Sequence, residues 1–135
     1  MSTAFDATVA TLTLDKLGPR FGAEISGLDV ASATDAEISA VRAALTQHKV
    51  LVLRGQSLDD ASHIEFGRRL GQLTAGHPVH DSGNMAQEVY ALDSQDNGFA
   101  DVWHTDVTFM KRPPLGSILR PLGRVSKARC LITTG

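Results

Sequence analysis

At 135 residues, 42% of them apolar, the chain is long enough for one domain with its own core, and no apolar run approaches the ~18 residues of a membrane span. Its net charge of −2 hides an asymmetry, since residues 1–106 carry all 15 acids and 7 of the 13 basic residues while residues 107–135 carry the other 6 and no acid; that tail has one aromatic, Phe109, too little stacking surface for a nucleic-acid binder. A single cysteine, Cys130, excludes an internal disulfide, and the N-terminus lacks a basic segment followed by an apolar block, so a cytoplasmic protein is expected.

Residues 7–17 alternate in part, with Val9, Leu12 and Leu14 among threonines, which predicts a half-buried strand ended by Gly18-Pro19. FGAEISGLDV (21–30) predicts a second extended segment. Thr34 and Glu37 have capping-box spacing, and Ile38, Val41, Leu45 and His48 follow as one stripe of an amphipathic helix, with His48 near its C-terminus. KVLVLRG (49–55) is a continuous apolar run and predicts a buried strand. Ser57 with Asp60 supplies a second capping signal, for a helix that carries Ile64, Gly67 and Leu70 on one face, a partly exposed His63, and Gly71 as C-cap. A loop through Gly76, Pro78 and Gly83 leads to a short strand at EVYAL (88–92). After a polar loop, GSIL (116–119) predicts another strand. The mixed order suits an α+β domain or a β-core decorated with helices, not a regular βαβ repeat.

The stretch VWHTDVTFMKRPP (102–114) carries the chemistry. In extended backbone, residues i and i+2 share a face, so His104 and Asp106 would present an imidazole nitrogen and a carboxylate oxygen to one point. That is two thirds of the 2-His-1-carboxylate set that holds non-haem Fe(II) and leaves positions open. A hydrogen-bonded polar pair at a strand end has the same spacing, and the spacing does not separate the two. Trp103 reads as a core aromatic.

LGPRFGAEISGLDV (17–30), HKVLVLRGQ (48–56), LGQLTAGHP (70–78) and WHTDVTFMKRPPLGSIL (103–119) together resemble the taurine dioxygenase (TauD/TfdA) family, in the family's own order from about Leu12 to Leu119. The resemblance implies a double-stranded β-helix, or jelly roll, with flanking helices, here incomplete. It implies an Fe(II)- and 2-oxoglutarate-dependent dioxygenase, with His104 and Asp106 as the first two iron ligands. The reaction so implied decarboxylates 2-oxoglutarate to succinate and uses O2 to hydroxylate a small anionic organic substrate. A product hydroxylated beside a sulfonate, sulfate or aryloxy group then falls apart. Family members are expected to be homo-oligomers.

In sulfonate-using members a His-Pro after the second helix sends its histidine to the substrate's anionic group, a role that passes to His77. His80 stands where those enzymes often carry a tyrosine, and the backbone N–H of Val107 is a further substrate donor. Those members also place an asparagine four residues before the metal histidine, where this chain has Ala100. The substrate is therefore expected to be taurine, another sulfonate or an alkyl sulfate.

The resemblance stops after residue 119. Residues 1–119 read as the N-terminal part of the dioxygenase domain and 120–135, RPLGRVSKARCLITTG, as a non-matching basic tail from a shifted frame or a truncated product. No histidine follows Asp106, and Arg120, Arg124 and Arg129 fall in no family motif, so the third iron ligand and the cosubstrate's arginine are not assigned. The alternative to an enzyme is an inactive remnant, at most a binding module.

Overall fold

The computed structural model describes residues 12–74, 88–89, 102–106, 108–121 and 129–134. Their elements run β1 (Thr13–Lys16), β2 (Ala23–Ser26), α1 (Asp35–His48), β3 (Val50–Arg54), α2 (Asp60–Leu70), β4 (Gly116–Leu119) and β5 (Arg129–Thr134). The strands form one mixed sheet in the order β1-β2-β3-β5-β4. β1 and β2 are an antiparallel pair. β2 and β3 are parallel and joined through α1, while β5 runs antiparallel to both β3 and β4.

Local chemistry explains the ends of these elements. The turn from β1 to β2 closes through the Leu17 N–H on the Gly22 carbonyl, with Gly22 at φ 89°, a conformation that favours glycine. At the start of α1 the Thr34 hydroxyl accepts the Glu37 N–H at 3.3 Å, and the Thr34 N–H donates to Glu37 Oε2 at 2.7 Å. The Thr34 N–H first, and then the Thr34 hydroxyl, which also donates to Glu37 Oε2 at 2.9 Å, hold the Glu37 carboxyl below its ordinary value of 4.5, so the cap weakens as pH falls below that value. Thr34→Ala removes the hydroxyl acceptor and is expected to cost about 1 kcal/mol, measured as a lower urea midpoint at unchanged slope.

The second helix starts two residues later than its sequence signal. Asp59 and not Ser57 is the N-cap, accepting the Ser62 N–H at 2.8 Å while its own N–H donates to Ser62 Oγ at 3.0 Å. Both pairs fit the same spacing, and an ionised carboxylate is the stronger acceptor for the first free N–H groups. Gly71 caps the other end as expected, but in extended backbone (φ 173°) rather than the left-handed form.

The register sends Ala23, Ile25, Leu51, Leu53 and Ile132 to one face of the sheet. There they form a single core with Ile38, Val41, Ala44 and Leu45 of α1 and Phe66 and Leu70 of α2. The opposite face carries Val50, Val52, Ser117 and Leu119, none of them fully buried, and an ion pair from Arg54 Nε to Glu24 Oε1 at 2.7 Å. Among the described residues the sheet is therefore dry on its helical side and uncovered on the other.

β5 is the largest departure from the sequence reading. The stretch was read as part of a non-matching basic tail with no strand in it, yet Arg129–Thr134 lies inside the sheet and Ile132 is 1% exposed. The expected strand EVYAL lies mostly outside the described residues; its first two, Glu88 and Val89, are in no strand. Arg120 is structural: its guanidinium donates to the Leu58 carbonyl and the Asp60 carboxylate, tying the end of β4 to the start of α2.

His63 strengthens the same junction. Because the Ile118 carbonyl can only accept, the imidazole Nε2–H donates to it, at 3.2 Å. The other ring nitrogen, Nδ1, is buried and has no partner among the described residues. Burial, more than any other cause, holds this imidazole below its ordinary 6.5; Arg120 also lowers it, while the Ile118 carbonyl and Asp60 act in the opposite direction. Folded His63 thus stays neutral where unfolded His63 takes up a proton. Stability is expected to be full above 6.5 and to fall as pH drops below that value, with the slope removed in His63→Gln; denaturant melts across this range read it.

Candidate metal centre

His104 and Asp106 stand on a loop between α2 and β4, not on a strand: residues 103–105 have no regular structure, with bends at 102 and 106. The expected strand is absent there, yet the two side chains still converge. Nε2 of His104 and Oδ1 of Asp106 are 3.2 Å apart, with the side chains 48% and 51% exposed. Convergence comes from the loop's own bonding. His104 Nδ1 lies 2.7 Å from the Val102 carbonyl, and a carbonyl accepts, so Nδ1 carries the hydrogen.

That bond sets the tautomer. In a neutral imidazole with a proton on Nδ1, Nε2 presents a lone pair, and it presents it to a carboxylate oxygen. Two lone pairs at 3.2 Å repel unless something positive lies between them, either a proton on the ring or a metal ion. Two donors bound cis to one ion at ~2.1 Å each stand ~3.0 Å apart. The observed separation fits that bite, and an Nδ1–H held by a carbonyl is the usual outer support of a metal-bound histidine. Half-exposed side chains leave room for further ligands.

The second carboxylate oxygen faces the sheet: the Ser117 hydroxyl of β4 donates to Asp106 Oδ2 at 3.4 Å. Ser117 neighbours the core-facing Ile118, so the loop meets the sheet on its open face, away from the helices. The Thr105 and Thr108 hydroxyls are 2.7 Å apart and bracket Asp106.

Trp103, expected in the core, is fully exposed, as are much of Val102 and Phe109. None of the loop's described residues packs a side chain into the core cluster, so among them the indole meets no apolar wall. His77, His80 and Val107, the expected substrate contacts, lie outside the described residues. Among the described residues no third His, Cys, Asp or Glu joins the pair. Sequence reasoning missed Ser117 and the Val102 carbonyl. The alternation of GSIL puts Ser117 opposite Ile118 and so signals its face; nothing in the sequence signals the carbonyl.

The chain matches the family "Taurine catabolism dioxygenase TauD, TfdA family" over residues 13–123. It belongs to that family. It is similar to the alkylsulfatase of Acinetobacter baylyi, 39% identical over 124 residues that cover 90% of this chain and 39% of that protein. It is also similar to the alpha-ketoglutarate-dependent sulfate ester dioxygenase of Pseudomonas putida, 41% identical over 111 residues, 81% of this chain and 36% of that protein. A crystal structure of a taurine dioxygenase from Burkholderia xenovorans superposes with a TM-score of 0.65 at 36% identity, covering 81% of this chain and 39% of that one. The chain thus spans about two fifths of the length of the relatives it matches. The TauD/TfdA match ends at residue 123, and β5 lies beyond it.

Proposed function

We propose that this chain is the N-terminal portion of an Fe(II)- and 2-oxoglutarate-dependent dioxygenase that hydroxylates a small organic sulfate ester or sulfonate, within a jelly-roll architecture of which it supplies part. The observation that carries the reading is the 3.2 Å approach of His104 Nε2 to Asp106 Oδ1 in a member of this family. Bound Fe(II) would supply the open coordination positions and the redox chemistry.

The chain's own residues do the rest. His104 donates a lone pair whose direction the Val102 carbonyl holds. Asp106 donates a negative charge that offsets the cation's. His77 donates a hydrogen bond to the substrate's anionic group, with His80 and the Val107 N–H as further donors around it. The sulfate-ester names of two relatives favour that substrate class over taurine. So does Ala100, which has no side-chain amide where sulfonate-using members carry asparagine. Cytoplasmic location and assembly into homo-oligomers complete the reading.

A second reading, a binding module without turnover, is favoured by the half-exposed state of both ligands, which leaves water free to reach the ion. Adding Fe(II) and 2-oxoglutarate to the purified chain without air separates the two. The enzymatic reading predicts a visible metal-to-ligand charge-transfer band and, on admitting air, succinate formed in step with a sulfate ester. Neither band nor succinate leaves only the binding reading. Residues 120–135, acid-free and outside the resemblance, are further read as translation in a shifted frame. A single-base correction near codon 119 should then restore a Gly-Gly-Asp-Thr-like continuation, and its absence in every frame ends that idea.

A further inference from the structure

We infer that Ser117 is a positioning residue that selects which oxygen of Asp106 faces the metal, an inference that rests on the metal site proposed above. A carboxylate on a half-exposed loop rotates freely about its last bond, and either oxygen, or both, can then meet an ion. Here the two oxygens have different partners. Oδ1 lies 3.2 Å from His104 Nε2, and Oδ2 accepts the Ser117 hydroxyl at 3.4 Å.

The donor stands on firm ground. Ser117 is paired in register with Thr133 of β5 and is flanked by Ile118, which packs on the core. This bond ties the 102–106 loop to a strand. The imidazole, by contrast, is held from within its own loop through the Val102 carbonyl. The arrangement therefore fixes the loop at one end of the carboxylate and leaves the other end, cis to the imidazole, as a single-oxygen ligand. Partners of this kind, which orient a ligand without touching the ion, commonly change metal affinity by ~10–100-fold when removed. The length and exposure of this bond put Ser117 at the lower end of that range.

Co(II) titration of the full chain, followed by absorption and paired with melting curves of the metal-free protein, tests the inference. Ser117→Ala is expected to weaken Co(II) binding by about tenfold and to leave the melting temperature unchanged. Ser117→Thr keeps the hydroxyl and is expected to bind within about twofold of the unaltered chain. Where alanine lowers the melting temperature, Ser117→Cys, close in shape but a weak donor, takes its place with the same expected loss. Unchanged affinity in the alanine or cysteine variant overturns the role of Ser117 and leaves the metal site standing, as does an equal loss in the threonine variant. An unaltered chain that binds no Co(II) overturns both.

Discussion

Ile132→Ala is expected to cost the fold about 2–5 kcal/mol, a large part of the ~5–15 kcal/mol that holds a domain of this size. Ile132 is 1% exposed and sits between Leu51 of β3 and Ile118 of β4 in register, where the sheet meets the helices. Truncation there opens a cavity that rigid strands on both sides fill poorly, so the loss exceeds the transfer free energy of the missing carbons. Ile132→Val removes one methylene and is expected to cost about 1 kcal/mol. Urea unfolding followed by circular dichroism gives both values. A shift of less than ~0.5 kcal/mol for the alanine variant would mean that β5 is dispensable and that the sheet stops at β3.

The other large effect concerns the ion. His104→Ala and Asp106→Ala are each expected to weaken Fe(II) or Co(II) binding by about a hundredfold or more, because each removes one of two ligands rather than a support behind one. The folded chain should survive both changes, since the two side chains are about half exposed and belong to no core cluster. Anaerobic calorimetric titration reads the affinity, and far-UV circular dichroism confirms the fold. Losses smaller than those expected of Ser117→Ala would place the ion elsewhere.

What the sequence disclosed, and what it did not, divides by the range of the interactions. The start of α1 was legible because Thr34 and Glu37 answer each other within one turn. The start of α2 was read two residues early because Ser57/Asp60 and Asp59/Ser62 share one spacing, and only the geometry separates them. β3 announced itself as a continuous apolar run. β5 did not, although Cys130 to Thr134 is rich in apolar and β-branched residues: its basic surroundings pointed elsewhere, and its partner β3 lies far earlier in the chain. Pairing at that range leaves no local period.

The site follows the same division. The residue types and spacing of His104 and Asp106 pointed to a shared ligand position, and their side chains do meet. The reason they meet was not legible. A strand would have aligned them by its pleat, whereas the loop aligns them through the Val102 carbonyl and the Ser117 hydroxyl. One of those is backbone and has no signature in the sequence. Trp103 was misread for a related reason: a large aromatic residue beside a strand-like pattern suggests burial, but its loop stands off the core.

X-ray absorption at the metal edge of the intact chain loaded with Co(II) tests most directly whether these two side chains share one ion. One imidazole at ~2.1 Å beside oxygen ligands is expected, with the imidazole signal gone in His104→Ala and an oxygen-only shell left behind. A first shell without imidazole, or one that His104→Ala leaves unchanged, would contradict it.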